Sequence, residues 1–336
     1  MRLPPLAALP PSLLRDPLAA WRVANPGRAA VAFSGGADST ALLVEQARWI
    51  AAGGPAPLLA LHVHHGLQPA ADAFVAHAQA FCEALNVQVP TRLAVTHAQV
   101  QLPPRASIEA QARGARYDAL AALAREQGVD TVLLAQHADD QVETVLIALG
   151  RGSGVAGLAG MAPSFVHQGT RFARPLLEVA GPELRRWLSD AGIPWIDDPS
   201  NADERHTRNR LRCRLMPALE QALPDFRVTF TRSARLAHAA QALLEELASE
   251  DLERIGDPPS IEALRGLSAM RAANMLRHWL RTRHGTIGSQ AQIDALIAVA
   301  QACATRGHDI HIKVGLGYVE RDGDRLAYRP FLYSAP

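Results

Sequence analysis

The chain has 336 residues, a length that suggests about two domains of ordinary size. Nearly half of the residues are apolar and a fifth are charged, as in soluble globular proteins, and no run approaches the ~20 uninterrupted apolar residues that cross a bilayer. The formal net charge of +1 is too small to indicate nucleic-acid binding through a global electrostatic field.

The first half of the chain alternates short apolar runs with longer amphipathic stretches. Short apolar runs predict strands, and apolar residues spaced three and four apart predict helices. The predicted strands are 29–33, 58–63, 87–95 and 131–135, and the helices that follow them are 38–52, 69–85, 107–127 and 139–149. This alternation predicts an α/β fold with a parallel sheet and helices on both faces.

The second half is predicted to be mainly helical. It contains a glycine-rich loop at 150–160, a short strand pair at 165–173, a helix at 182–191, a turn at 197–201, an Arg-rich helical region at 208–252, helices at 268–283 and 289–302, and a hairpin at 318–328. We expect the hairpin to turn at Asp322-Gly323, and Asp257-Pro258-Pro259 is typical of a linker. These patterns divide the chain into an α/β domain at 1–217, a helical linker region at 218–257 and a small α+β C-terminal domain at 258–336.

Arginines are concentrated in two segments. Between Arg205 and Arg235 there are eight arginines and only two acids, and between Ala263 and Arg283 there are five arginines and no acid. One interpretation is an arginine-rich composition, because Lys313 is the only lysine. The other is a surface that faces nucleic acid. The sequence leaves both open.

The positions of the cysteines and prolines indicate which redox chemistry and which cellular location to expect. The three cysteines, Cys82, Cys213 and Cys303, lie far apart and include no Cys-x-x-Cys pair. That pattern argues against a disulfide framework, a zinc site and a chain-ligated iron–sulfur cluster. Prolines at 4, 5, 10 and 11 interrupt the apolar start of the chain, which argues against a signal peptide. We therefore expect a cytoplasmic protein that contains no membrane segment.

A glycine-rich turn, Ser34-Gly35-Gly36-Ala37-Asp38-Ser39, follows the first predicted strand and begins a helix. Glycines let backbone N–H groups approach an anion, and the positive end of the helix dipole lies at the same place. Ser34 and Ser39 can donate to phosphate oxygens, and Asp38 would need a Mg²⁺ ion between itself and phosphate. The Walker lysine is absent, which excludes a P-loop kinase or GTPase. The alternative is an ordinary serine-capped turn, but parallel sheets bind ligands at this edge.

This turn resembles the pyrophosphate-binding loop of the N-type ATP pyrophosphatases, the PP-loop family, which transfer AMP from ATP to a substrate. Further segments resemble the tRNA(Ile)-lysidine synthetase family along roughly 31–217. They are His62-Val63-His64-His65-Gly66-Leu67; Ile108-Glu109-Ala110-Gln111-Ala112-Arg113 with Arg116-Tyr117; Ala135-Gln136-His137-Ala138-Asp139-Asp140-Gln141-Val142-Glu143-Thr144 with Arg151-Gly152-Ser153-Gly154; Arg174-Pro175-Leu176-Leu177; Asp198-Pro199-Ser200-Asn201; and Arg208-Asn209-Arg210-Leu211-Arg212. The resemblance implies an adenine nucleotide α-hydrolase-like fold that uses ATP and Mg²⁺.

The resemblance and the chemistry of the side chains give a candidate site. The expected nucleotide-binding residues are Ser34, Gly35, Gly36, Ala37, Asp38, Ser39 and His64, and Asp38 is the expected metal ligand. The expected catalytic residues are Asp38, Arg113, His137, Asp140 and Arg208. The histidine and acids near 137–143 could hold metal, orient the base or accept a proton, and the arginines suit phosphate or developing charge. Each of these residues also has an ordinary reading as a surface histidine, a helix-end acid or a solvated arginine.

The resemblance implies a two-step reaction. AMP is transferred to O2 of the wobble cytidine of a CAU-anticodon tRNA(Ile), and free L-lysine then attacks C2 to give lysidine, releasing AMP. A homodimer is a further possibility. The sequence has Gln68 where the family commonly has a basic residue, and we expect the chain to lack the additional C-terminal domain of some longer relatives. Recognition of the tRNA is then expected to use the helices from Arg205 onward and the unit after Pro259.

Three other functions fit the same turn. A PP-loop tRNA thiolase generally needs cysteines near its site, and here only Cys213 lies near a proposed segment. An ATP-dependent amidating ligase would use a small molecule as acceptor and would need no RNA. A non-catalytic tRNA-binding protein would keep the turn without its chemistry, although the intact Asp38 and Ser39 argue against that function.

Overall fold

The computed structural model describes residues 1–12, 15–25, 27–64, 71–98, 108–199, 203–303 and 309–331. The chain forms two compact units, unit 1 (Met1–Leu236) and unit 2 (Ala237–Pro336). The predicted elements at Pro69-Ala70 and Ser107, and the motif residues His65 to Gln68 and Ser200-Asn201, lie outside the described residues.

Unit 1 is built on a six-stranded sheet with the order β3-β2-β1-β4-β6-β5. Its strands are β1 (Ala30–Ala32), β2 (Leu58–His64), β3 (Thr91–His97), β4 (Thr131–Leu133), β5 (Ser164–His167) and β6 (Thr170–Ala173). All neighbours are parallel except β5, which is antiparallel to β6. The predicted mainly parallel sheet is confirmed. The third strand was predicted too early, because Val87 is 85% exposed and belongs to the turn after a helix.

Helices cover both faces of this sheet, as predicted. They are α1 (Arg15–Ala24), α2 (Ala37–Ala51), α3 (Ala71–Asn86), α4 (Ile108–Glu126), α5 (Ala138–Gly150), α6 (Val155–Leu158) and α7 (Gly181–Asp190). Val31 and Leu133 pack in the apolar cluster that includes residues of α2, α3 and α7, whereas Ala30 and Val132 pack in the cluster that includes α4. Successive strand residues thus serve opposite cores, which explains the continuous apolar runs. The short helix α6 lies where only a loop was predicted.

The predicted helical Arg-rich region consists of several helices. It contains α8 (Thr207–Arg210), a single π-helical turn (Leu211–Leu215), α9 (Met216–Ala222) and α10 (Phe226–Ile255). Pro224 explains the break before α10, because proline disfavours helical geometry in the residue that precedes it and cannot donate a helix hydrogen bond. The side chain of Phe226, at the start of α10, is fully buried with Val142 of α5 and Met216.

Among its described residues, unit 2 contains the later part of α10, three further helices and an antiparallel sheet. The further helices and the strands are α11 (Ile261–Arg265), α12 (Ala269–His284), α13 (Gln290–Ala302), β7 (His311–Val314), β8 (Gly317–Asp322) and β9 (Arg325–Pro330). The helix α11 and the strand β7 were not predicted. Asp322 pairs with Arg325, so the hairpin turns at Gly323-Asp324, one residue later than predicted. Gly323 has a φ of +65°, which glycine adopts without the strain that a side chain would cause.

Acids from other segments pair with the arginines of α12. The carboxylate of Asp251, which is 1% exposed, accepts from Arg271, and Glu245 lies 2.9 Å from Arg281. The shortage of acids within the arginine segment therefore does not leave these side chains unpaired. In the described part of the chain, no helix is both long enough and apolar enough to span a bilayer.

Candidate active site

The order of strands in the sheet of unit 1 reverses between β1 and β4. From β1 the chain proceeds outward to β2 and β3, and it then returns to add β4 on the other side. Two loops diverge at such a point, and α/β sheets bind ligands in the crevice between them, at the carboxyl ends of the strands. The turn after β1 and the segment after β4 both contribute to a cavity of about 820 Å³ at this place. Its lining includes Ser34, Asp38, His64, Arg113, Gln136, Asp140, Arg174 and Arg208.

Hydrogen bonds within the Ser34–Ser39 turn fix its shape. The Ser34 N–H donates to Ser39 Oγ (3.2 Å), and the Ser39 hydroxyl donates to the Gly36 carbonyl (3.0 Å). The Gly35 carbonyl accepts from the Thr40 hydroxyl (3.3 Å) and from the Ile196 N–H (3.0 Å). The turn is therefore preorganised by its own groups and by a neighbouring loop. Gly36 is the residue before α2, so the positive end of that helix points at the turn.

The two glycines of the turn meet different constraints. Gly35 has a φ of +86°, and a Cβ there would lie 3.0 Å from His77 Cδ2 and 3.2 Å from Ile196 Cγ2. Gly36 has a φ of −72°, and a Cβ there would meet only ordinary contacts, the nearest at 3.5 Å. Gly35 is thus required by backbone conformation and space, whereas Gly36 leaves room that an approaching ligand can use.

His137 is surrounded by three carboxylates. It precedes α5 and is 4% exposed. Its Nε2 lies 3.4 Å from Asp38 and 3.7 Å from Asp140, and its Nδ1 lies 3.6 Å from Asp139. Because Asp38 belongs to the turn after β1, the imidazole joins the two segments that border the crevice.

These contacts change the proton affinities of both partners. Burial opposes protonation of His137, but the charges of Asp140, Asp38 and Asp139 outweigh it and raise the pKa of His137 to about 9. Burial alone would raise the pKa of Asp38. The hydrogen bond and charge of His137, together with Arg185 and Arg212, reverse that effect and keep the Asp38 pKa below its ordinary value. At neutral pH the pair is an imidazolium and a carboxylate.

Two further acids of α5 hold arginines in place. Asp139 accepts from the Gly181 N–H (2.8 Å) and from Arg227 Nε (2.8 Å). Glu143 is fully buried and pairs with Arg212 and Arg208. Arg212 also donates to Asp140 (2.8 Å). The helix spacing of four residues places Asp139 and Glu143 on one face, so that one stripe of acids receives arginines from the region after 205.

Most of the residues predicted for the site come together. Ser34, Gly36, Ala37, Asp38, His64, Arg113, Asp140 and Arg208 line the cavity, and Gly35, Ser39 and His137 lie behind this lining. His64 Nε2 lies 3.1 Å from Asp72, and its ring packs against His97 at 4.7 Å between centroids. Their roles in binding and catalysis remain predictions.

Sequence reasoning missed several residues that shape the cavity. Gly181 lies where a Cβ would be 2.8 Å from His137 Cε1, so only glycine fits beside the imidazole. Arg185 lies 4.0 Å from Asp38, and Arg227 reaches Asp139 from α10. No local pattern points to Gly181, Arg185 or Arg227, whereas Arg212 lay within a quoted motif that could have given it a role.

The cysteines are separate in the structure and all three are free thiols. Cys82 and Cys303 are buried, and Cys213 is exposed on the π-helical turn. Burial raises the pKa of Cys82 to about 12, with a smaller contribution from Glu83. A thiol of this kind is a core side chain and not a nucleophile or ligand.

Comparisons with known proteins agree with this architecture. Residues 14–219 match the family model of the PP-loop domain, and residues 260–327 match that of the TilS substrate binding domain. The U34-tRNA thiolase NcsA from Methanococcus maripaludis, solved with its [4Fe-4S] cluster, is 19% identical with a TM-score of 0.54. That comparison covers 67% of this chain and 77% of the thiolase, and it shows the fold alone. The domain at the crevice is therefore an ATP-using PP-loop domain with the adenine nucleotide α-hydrolase fold.

Relatives define the family more narrowly. The tRNA(Ile)-lysidine synthase of Polaromonas naphthalenivorans is 48% identical over 96% of this chain and 97% of its own length. That of Bordetella parapertussis is 38% identical, with 92% of both chains covered. The Pseudomonas fluorescens enzyme is 44% identical, but the chain spans only 62% of its length. The chain belongs to the tRNA(Ile)-lysidine synthase family.

The two glycines of the turn give a test of the turn's geometry. Gly35→Ala should destabilise the protein by about 1–3 kcal/mol, because the left-handed conformation and the contact with Ile196 both oppose a side chain. Gly36→Ala should change the free energy of unfolding by less than about 1 kcal/mol. Urea unfolding measures both values. Equal effects of the two substitutions would contradict the different constraints.

The raised pKa of His137 makes stability depend on pH. Protonated His137 stabilises the folded state fully below the ordinary pKa of 6.5, and this contribution is lost as pH rises through about 9. The advantage of the wild type over His137→Gln should therefore be largest near pH 6 and should shrink by up to about 3 kcal/mol by pH 9.5. Urea unfolding across this range measures it, with His238→Gln on α10 as a control for loss of one imidazole. A constant difference would refute the charged pair.

Proposed function

We propose that this protein forms lysidine on tRNA(Ile), using ATP to activate the wobble cytidine of the CAU anticodon and free L-lysine as the amine. The proposal rests on one observation. The Ser34–Ser39 turn and the His137 cluster, which is His137 with Asp38, Asp139 and Asp140, lie together at one crevice. A phosphate-binding turn beside a charged cluster can hold the group that leaves and the group that attacks at one place. Membership of the tRNA(Ile)-lysidine synthase family supports the choice of substrate.

In the first step, the turn binds the triphosphate of ATP and the cytidine O2 attacks its α-phosphorus. An O–P bond forms to give the adenylated base, and the bond to the β-phosphate breaks to release pyrophosphate. The Ser34 hydroxyl and the N–H groups of Gly36 and Ser39 provide donors for the phosphate oxygens, while the Ser39 hydroxyl stays bonded to the Gly36 carbonyl. Arg208 and Arg212, already fixed by Glu143, are placed to offset the charge that develops.

The Asp38 carboxylate fits a Mg²⁺ ion. Its Oδ1 is buried and makes no hydrogen bond to any described residue. Mg²⁺ is usually held by one or two carboxylates together with substrate phosphates, so a single carboxylate beside a phosphate turn is a sufficient protein contribution. Such an ion would neutralise phosphate charge, while the chain itself positions Asp38 through His137.

In the second step, the ε-ammonium of lysine loses a proton to give the neutral amine, a bond forms between its nitrogen and C2, and the C2–O2 bond breaks so that AMP leaves with O2. Below about pH 9 His137 is already protonated, so the proton released by the amine goes to a carboxylate of the cluster. A smaller cavity of about 340 Å³ borders the first, and both are lined by Arg185 and Arg212. Asp139 and Glu220 also line it. We assign free lysine to this cavity, because it offers cations for the α-carboxylate and anions for the ammonium groups.

The remaining assignments concern the whole protein. We propose that residues 1–217 form the catalytic domain, 218–257 a helical linker, and 258–336 a small domain that binds the tRNA. We also propose a cytoplasmic location and a homodimer. The exposed apolar side chains of Leu223, Val228 and Leu236 are available to a second copy, and sedimentation velocity tests that association.

One experiment tests the proposed function directly. The protein is incubated with labelled L-lysine, ATP, Mg²⁺ and a CAU-anticodon tRNA(Ile) transcript, and label is counted in the RNA. We expect ATP-dependent incorporation that is lost when the anticodon is changed. Sulfur incorporation in place of lysine would indicate a thiolase, and turnover of ATP with a small acceptor and no RNA would indicate an amidating ligase.

Asp38 gives a residue-level prediction. Asp38→Asn should reduce pyrophosphate release with tRNA and Mg²⁺ by at least about 100-fold, because the amide cannot replace a carboxylate as a metal ligand or as the partner of His137. The melting temperature should change by only a few degrees. The matched control is Asp190→Asn, which alters an exposed carboxylate at the end of α7. Wild-type pyrophosphate release in Asp38→Asn would refute the metal role.

A further inference from the structure

Three arginines line one part of the large cavity in unit 1. Arg113 and Arg116 belong to α4, and Arg174 follows β6. All three line the cavity. Among the described residues, no carboxylate lies within ion-pair distance of any of these guanidinium groups. We call this group of three residues the guanidinium shelf.

Two other arginines that line the cavity are held differently. Arg208 and Arg212 pair with Glu143, and Arg212 also pairs with Asp140. Those positive charges are offset by the protein itself. Within the part of the chain that the structure describes, the guanidinium shelf has no such offset, so the cavity contains one group of arginines paired with acids and another that is not.

Aromatic rings and neutral groups hold Arg174 and Arg116 of the guanidinium shelf in place. Arg174 Nε donates to Gln136 Oε1 and its Nη1 donates to the Ala162 carbonyl, both at 2.7 Å. The Arg174 guanidinium lies 4.5 Å from the ring centroid of Phe165, and that of Arg116 lies 5.7 Å from Tyr117. Cation–π contacts and neutral acceptors fix orientation but leave the full positive charge in the cavity.

The electrostatics of the guanidinium shelf show the resulting excess of positive charge. Burial lowers the pKa of Arg174; Tyr117 opposes the effect, and Arg113 and Arg116 add to it. Burial would raise the pKa of Tyr117, but a hydrogen bond from Gln136 and the charges of Arg174 and Arg116 lower it. Like charges gathered in a partly buried group are costly unless an anion completes them.

We propose that the guanidinium shelf binds the backbone phosphate that adjoins the target nucleotide of the RNA. The proposal rests on the proposed function. The triphosphate has its own turn on β1 and α2, whereas the guanidinium shelf is on α4 and at the end of β6. A cavity of about 820 Å³ lies in the upper part of the usual ~300–1,000 Å³ range and has room for more than one ligand group.

The chemistry of the guanidinium shelf suits a phosphodiester. Guanidinium forks bind phosphate oxygens in pairs, and arginine planes held against rings form the kind of platform on which unstacked RNA bases are bound. Arg174 thereby gains a role that the Arg174-Pro175-Leu176-Leu177 motif alone did not suggest. Arg174 donates a hydrogen bond to Gln136, the residue that precedes His137. This bond would connect phosphate binding to the position of the charged cluster.

The test compares charge loss on the protein with charge loss on the RNA. Affinity for CAU-anticodon tRNA is measured over a range of salt concentrations, without ATP or lysine, for Arg174→Gln and Arg116→Gln. We expect each to weaken binding about 10-fold and to reduce the salt slope by about one. The control Arg125→Gln, in the last turn of the same helix, should leave both unchanged.

The second half of the test is a double-mutant cycle, in which the phosphate next to the wobble cytidine is replaced with a neutral methylphosphonate. It should weaken binding to the wild type but cause little further loss with Arg174→Gln, because the same contact is already absent. Fully additive losses would overturn the proposal. So would unchanged tRNA affinity with a raised KM for ATP, which would assign the guanidinium shelf to ATP phosphate.

Two further comparisons distinguish failure of this inference from unfolding of a variant and from failure of the proposed function. Arg113→Gln removes a more exposed member of the guanidinium shelf and should show the same loss of affinity if Arg174→Gln unfolds. Because binding is measured without lysine, a wild type that binds tRNA through the guanidinium shelf but forms no lysidine would refute the proposed function and not this inference.

Discussion

The contact between His137 and Asp38 is the interaction on which the arrangement of the site depends. It joins the turn after β1 to the segment after β4, across the point where the strand order reverses. The buried imidazolium balances carboxylates that would otherwise repel one another and the phosphates beside them. Gly181 leaves space for the ring, and the Gly181 N–H and Arg227 hold Asp139 beside it. The geometry of the crevice thus depends on one charge placed among several of opposite sign.

Arginine serves two purposes in unit 1. Arg208, Arg212 and Arg227 are paired with acids of α5, which fixes the positions of their guanidinium groups. Arg116 and Arg174 are held by rings and neutral acceptors, which leaves their charge available. The density of arginine along the sequence therefore says little about where an anion binds. The partners of each guanidinium distinguish the two uses.

The sequence was sufficient for features that depend on neighbouring residues. The turn from Ser34 to Ser39 is contiguous, so its glycines, serines and acid could be read together, and the continuous apolar runs predicted a parallel sheet. Contacts across long stretches of chain were not accessible. Glu143 meets Arg212 only after the chain has crossed the sheet twice more, and Gly181 meets His137 through a loop with no distinctive pattern.

Smaller errors have equally local causes. The π-helical turn and the break at Pro224 divide a region that was predicted only as helical, and the hairpin turns at Gly323-Asp324, where Gly323 takes the positive φ. The third strand was displaced because a solvent-exposed valine resembles a strand residue when burial is unknown. Each of these errors concerns the boundary or the register of an element, which sequence patterns define less well than its existence.

The distribution of the thiols has a practical consequence. Cys82 and Cys303 are enclosed by apolar side chains, whereas Cys213 is exposed between Arg212 and Arg214. A maleimide fluorophore would therefore attach to one position in the folded protein. That position adjoins an arginine of the crevice without being part of its lining. The natural chain thus offers a single reporter group close to the site, and no engineered cysteine is required.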